Sequence, residues 1–184
     1  MQSRREQLLE AALVHLLKHG LVNLSLRTLA KHIGTSARML VFHFNSKEGL
    51  IVAALGELNE RLQSSFEEVS ARADRRSTQP PLRMFWDWAS SKENLPSLRL
   101  LYELQIAAVQ NPKPYARYLK KISADWQAAA SKALSDTMRQ EPMATLCIAV
   151  FDGLFLELIT TGDRARLSRA LNHFIEIARR GARN

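Results

Sequence analysis

With 184 residues and 46% hydrophobic side chains, the chain suits one large domain or a small one beside a larger one, and is too apolar to be disordered. Seven glycines and six prolines are few, which favours long helices over turns, and the single cysteine, Cys147, excludes an internal disulfide. A formal net charge of +8 draws the chain toward polyanions, meaning nucleic acid or an anionic membrane surface.

Residues 3–19 place Leu8, Leu9, Ala12, Leu13, Leu16 and Leu17 at helical spacing with charges opposite, and Gly20 suits a left-handed stop. This segment is charged throughout and lacks the apolar stretch of a signal peptide. His15 and His19 lie four residues apart, a candidate metal pair. No Cys, Asp or Glu of suitable spacing completes it, so solvated histidines and no metal are expected.

Ser25 is a good N-cap for a short second helix through about His32, and Gly34 breaks it. Thr35 or Ser36 can cap a third helix of about seven residues. Two short helices separated by "IGTS" match a helix-turn-helix, with Leu26, Leu29, Ala30, Ile33, Leu40 and Phe44 facing inward. Thr35, Ser36, Ala37, Arg38, Met39 and Phe42 are left outward at the end that meets base edges in a major groove. Thr35, Ser36 and His43 can hold phosphate oxygens without reading sequence; His43 can equally make a local cap or core hydrogen bond. Lys47 falls in the first turn of a fourth helix, where a cation opposes the helix dipole unless a phosphate binds there. Residues 1–50 hold seven basic side chains against three acidic ones, +4, half of the chain's excess.

The fourth helix, capped by Ser46, runs through about Val69, and "SARADRRSTQPP" (70–81) reads as a linker. Further helices are expected over about 81–92, 96–110, 113–139, 142–160 and 163–180, with Pro96, Pro112 and Pro114 near starts and Gly162 and Asp163 as a stop and a new cap. No strand alternation persists, so the class is all-α with about nine helices. The last two helices are apolar around much of their girth, which implies a second buried face and, most simply, a two-fold mate. A fully interior helix pair is the alternative. Leu154, Leu158, Leu167, Leu171 and Phe174 are the candidate interface residues. The most apolar run, "CIAVFDGLFLELI", is broken by Asp152 and Glu157, so no membrane span and a cytoplasmic location are expected. No phosphate-binding glycine loop, HExxH, CxxC or nucleophile elbow is present, which argues against an enzyme or a cofactor.

The segments "LLEAALVHLLKHG", "LSLRTLAKHIGTS" and "LVFHFNSKEGL" resemble, in order and spacing, the DNA-binding domain of TetR-type bacterial transcriptional regulators. The resemblance covers about the first 50 residues. It implies a helix-turn-helix domain over 1–46 and a helical ligand-binding and dimerisation domain over 47–184. It also implies a homodimeric repressor that binds a pseudo-palindromic duplex operator and answers to a small-molecule effector. Base contacts would come from Ala37, Arg38 and Met39, helped by Arg27 and Thr28, with Ser25 beside them and Lys47 and His43 at phosphates. A ligand chamber would draw on Trp88, Tyr102, Gln105, Trp126, Phe151 and Phe155. Val41 stands where the family usually has a phosphate-contacting tyrosine, and Arg38 where glycine is common. The alternative reading is a small-molecule sensor whose N-terminal domain serves protein interaction.

Overall fold

A computed structural model of the chain describes residues 2–73, 79–134 and 141–181. Nine helices and no strand occur among the described residues: α1 (Arg4–His19), α2 (Leu26–His32), α3 (Ala37–Phe44), α4 (Lys47–Ala73), α5 (Pro81–Ala89), α6 (Leu95–Gln110), α7 (Ala116–Ala133), α8 (Glu141–Thr161) and α9 (Arg164–Gly181). They fall into two compact units, Met1–Ser65 with Pro96–Leu119, and Phe66–Leu95 with Lys120–Asn184. This division does not coincide with a boundary at residue 46. Most of α4 and nearly all of α6 pack with the N-terminal helices.

In the first unit, α1 opens on a capping box. The Ser3 hydroxyl accepts from the Glu6 N–H, and the Glu6 carboxylate accepts from the Ser3 N–H at 2.7 Å. Its buried face is Leu8, Leu9, Ala12, Leu13 and Leu16. Gly20 has φ +75° and ψ −169°, a region open essentially to glycine alone rather than the left-handed helical stop expected. The chain leaving α1 is held by α6: the Glu103 carboxylate accepts from the Leu21 N–H, and Arg99 donates to the Leu17 carbonyl at 2.9 Å. The Arg99 contact satisfies a last-turn carbonyl that the helix end leaves unpaired, and the Glu103 contact pairs the N–H of the loop that follows.

In the second unit, Trp86 of α5 is fully buried, stacks on Phe155 of α8 (centroids 5.2 Å apart, 11° between planes) and donates its indole N–H to Ser168 of α9 at 2.8 Å. Asp87 accepts from Arg83 of its own helix and from Arg164 of α9 at 3.0 Å, and Arg83 reaches Asn172. Buried Ala144, Cys147, Phe151, Phe155 and Leu158 form the inner face of α8, and Leu167, Leu171, Ile175 and Ala178 that of α9. By length and composition alone, α8 from Pro142 to Thr161 suffices to cross a membrane, Asp152 and Glu157 notwithstanding. Its inner face packs within the unit against α9 instead.

Several boundaries move from their sequence expectation. α4 continues to Ala73, into the expected linker; residues 74–78 of that linker lie outside the described residues. α5 ends at Ala89 rather than 92, where the Ser90 N–H bonds the Trp86 carbonyl at 2.8 Å. α7 begins at Ala116 rather than 113, because a turn closed by the Tyr115 N–H on the Pro112 carbonyl (3.1 Å) precedes it. Its expected end, 135–139, lies outside the described residues.

Candidate nucleic-acid interface

The interface is built from the turn outward. Ser25 begins α2 with its hydroxyl accepting from the Thr28 N–H (3.1 Å) and donating to Thr28 Oγ1 (2.8 Å), which leaves Thr28 with the hydroxyl proton to give. α2 ends in a Schellman arrangement: Gly34 has φ +69°, and the Thr35 N–H reaches back to the Ala30 carbonyl at 2.9 Å. A side chain at Gly34 would meet nothing within 4 Å, so glycine is needed there for its backbone angle and not for space. Ser36 then caps α3, its hydroxyl accepting from the Met39 N–H at 3.2 Å. Leu29, Ala30, Leu40 and Phe44 are buried, and Arg5 of α1 lies over the Phe44 ring at 5.1 Å.

This packing leaves one face of α3 in solvent. Arg38 is exposed, as are Met39 (37%) and Phe42 (74%). Ala37 is half-buried between them. Arg27, Thr28, Ser25 and Ser36 are exposed and Thr35 is half-buried, so the outward set expected from the sequence lies on α2, the turn and the start of α3. Val41, where the sequence departs from the family's tyrosine, is also exposed.

Two expected phosphate contacts differ from one another. Lys47 sits half-buried in the first turn of α4, whose cap is Ser46, the hydroxyl accepting from the Gly49 N–H at 2.9 Å. His43 is half-buried, its ring set edge-on to Phe42 at 5.0 Å, and its Nε2 is buried without a hydrogen-bond partner. That nitrogen is closed off from solvent, whereas the Lys47 side chain is only half-buried. The first turn of α4 holds a residue that sequence reading passed over. A Cβ on Gly49 would run into the Phe44 carbonyl oxygen, so only glycine lets α4 start this close to the end of α3.

Residues 8–54 match the model of bacterial regulatory proteins of the tetR family. Over 170 residues the chain is 31% identical to the HTH-type nicotine-responsive transcriptional repressor HdnoR of Paenarthrobacter nicotinovorans, covering 84% of this chain and 82% of that protein. The chain belongs to the TetR family. It is a DNA-binding transcriptional regulator, and α3 is the second helix of its helix-turn-helix. A further relative is the HTH-type transcriptional regulator BetI of Pseudomonas aeruginosa, 26% identical over 188 residues, with 92% of this chain and 88% of BetI covered. Among solved structures, a transcriptional regulator from Rhodococcus sp. Rha1 shares the fold with a TM-score of 0.79 at 23% identity, covering 97% of each chain. The multidrug binding protein EbrR complexed with proflavin matches with a TM-score of 0.65 at 25% identity, covering 93% of this chain and 99% of EbrR.

The residues expected to hold a ligand divide between the two units. Trp88, Trp126, Phe151 and Phe155 gather in the second unit around Phe85, whose ring centroid lies 5.7, 5.5, 5.1 and 6.0 Å from theirs. Phe66 of α4 completes the group at 5.1 Å from both Phe85 and Trp88. Tyr102 and Gln105 stand on α6 in the first unit, with Gln105 exposed. The residues expected at a dimer interface divide as well. Leu158, Leu167 and Leu171 are buried in the unit's own core, while Leu154 and Phe174 are half-buried. The free apolar stripe of α8 is instead Leu146, Ala149, Gly153 and Leu156, spaced by three, four and three residues, and α9 adds exposed Ile177.

Proposed function

We propose that this TetR-family regulator is a ligand-responsive repressor acting as a homodimer on a pseudo-palindromic operator. The observation that carries the reading is the solvent-exposed start of α3, where Ser36 satisfies the helix end and Arg38, Met39 and Phe42 project. Arg38 supplies bidentate donors for a guanine edge, and Met39 and Phe42 supply apolar contact for thymine methyl groups and sugars. Arg27 and Thr28 assist these base contacts, while Ser25 and Lys47 hold phosphates on either side and set the register.

The stripe of Leu146, Ala149, Gly153 and Leu156 supports a two-fold contact of α8 and α9 with a second copy. Ala149 and Gly153 are small enough to let two α8 helices approach closely. The aromatic group around Phe85 supports a flat, unsaturated effector, bound by stacking and, if cationic, by the ring faces. HdnoR is nicotine-responsive and EbrR is seen complexed with proflavin, and both compounds carry a nitrogen-containing aromatic ring. The rings touch one another in this arrangement, so an effector must part them, and that displacement gives it a differential affinity for two states.

The test is fluorescence anisotropy with a selected operator and a scrambled duplex at fixed salt. Tight binding to the operator alone, relieved by an aromatic amine that also quenches tryptophan emission, is the expected result. Equal binding to both duplexes would refute sequence reading.

A further inference from the structure

The C-terminal half of α1 and the end of α2 carry a histidine cluster that DNA contact does not use. His15 and His19 lie one turn apart on α1 with ring centroids 4.5 Å apart. His32, on α2, brings its ring to 5.0 Å from His15 and 6.2 Å from His19. The three line a pocket of about 170 Å³ together with Asn23, Ser25 and Thr28. His19 and His32 are exposed and His15 is half-buried, so the cluster is open to small solutes.

The tautomer of His32 is fixed by its neighbour. Its Nδ1 lies 2.9 Å from the Thr28 carbonyl oxygen, which can only accept, so Nδ1 carries the proton and Nε2 of the neutral ring keeps its lone pair. A metal-binding histidine is held in the same way, one nitrogen donating to a backbone carbonyl and the other facing the ion.

The spacing matches a metal centre. With metal–nitrogen bonds of about 2.0–2.1 Å and tetrahedral angles, the centres of coordinating imidazoles lie about 5 Å apart. The three observed separations bracket that value. The rings themselves are tilted or stacked, at 33°, 33° and 21°, and among the described residues no group of three or more His, Cys, Asp or Glu side chains stands ready to hold an ion. A histidine ring, however, turns about its Cβ–Cγ bond almost around its own centre. The nitrogens of His15 and His19 can therefore be re-aimed, with His32 held on the Thr28 carbonyl, while the centroid separations stay as they are.

We propose that His15, His19 and His32 form an inducible three-imidazole site for a borderline divalent transition ion of the zinc, nickel or copper class, with water in the fourth position. Binding ties the last turns of α1 to α2 and stiffens the domain that presents α3.

The test uses tag-free, full-length protein, stripped with a chelator and titrated with Zn²⁺ and with Ni²⁺ by calorimetry at about pH 7.5. One equivalent per chain is expected, with a rise in Tm. His15→Gln, His19→Gln and His32→Gln should each weaken binding by about tenfold or more, while His173→Gln, on α9, leaves it unchanged. X-ray absorption of the zinc-loaded wild type needs no variant and should count three imidazoles. No saturable binding, affinity unchanged in the His15 and His32 variants, or fewer than three imidazoles on the ion would overturn the proposal.

Discussion

Arg38 stands on the exposed start of α3 where the family commonly has glycine, and it brings a fork of N–H donors that no other residue of that helix carries. Arg38→Ala should therefore lose about 1–3 kcal/mol of discrimination at one base pair and much less affinity for random duplex, measured by competition binding on single-base operator variants. Equal losses on every sequence would mean that Arg38 holds phosphate. Gly49 answers a different need, since a methyl group there meets the Phe44 carbonyl oxygen. Gly49→Ala should lower stability by about 1–3 kcal/mol, read from denaturant melts, because backbone on both sides has to shift. The sequence put Gly49 inside a helical pattern, where nothing distinguishes a tolerated glycine from a required one. Its role shows only once the ends of α3 and α4 are seen together.

At the scale of helices, much of the architecture was readable from caps. Ser25, Ser36, Ser46 and Asp163 all accept from backbone N–H groups where the sequence placed helix starts, and Gly34 and Gly162 take positive φ where it placed stops. Caps are local chemistry between near neighbours, so four to six residues suffice to see them. The faces of α8 were not readable in that way. A helix apolar on two sides does not say which side meets its own chain, and Leu158, Leu167 and Leu171 turn out to be core. His32 was missed beside His15 and His19 for the same reason, since it reaches them only through the packing of α1 on α2. The two classes of residue on α8 and α9 predict opposite outcomes. Leu156→Glu should leave the helicity of the chain nearly intact and yield monomers in sedimentation, whereas Leu171→Glu should unfold the second unit. A dimer that survives Leu156→Glu would move the interface elsewhere.

α5 and α9 are joined by a pH-sensitive contact. Burial works to raise the Asp87 carboxyl, but hydrogen bonds from Arg83 and Gln79 and the charges of Arg83 and Arg164 outweigh it and hold it below the usual range. A depressed carboxyl binds its proton less readily folded than unfolded. Its stabilisation is thus present in full above the ordinary Asp value and is lost as pH falls below that value. Asp87→Asn should lower Tm at neutral pH and flatten the acid limb of a Tm-against-pH curve; an unchanged acid limb would show that the contact carries no net stability.

For the molecule as a whole, the excess of positive charge, half of it in the first 50 residues, sets a salt-dependent attraction to duplex DNA, to which Arg38 and its neighbours add sequence preference in the function proposed above. Lys47→Ala should weaken binding to all duplexes alike and flatten the slope of log affinity against log salt by about one unit. Two copies joined through α8 and α9 would bring two such surfaces to one operator, and two-fold symmetry in the protein requires it in the site. Selection of bound duplexes from a random pool at stated salt tests this most directly. Enrichment of an inverted repeat is expected, its half-site centres about 10–10.5 base pairs apart or a multiple of that, with the preference lost at one position in Arg38→Ala. A pool that stays random, or a single asymmetric site that Arg38→Ala leaves unchanged, would contradict it.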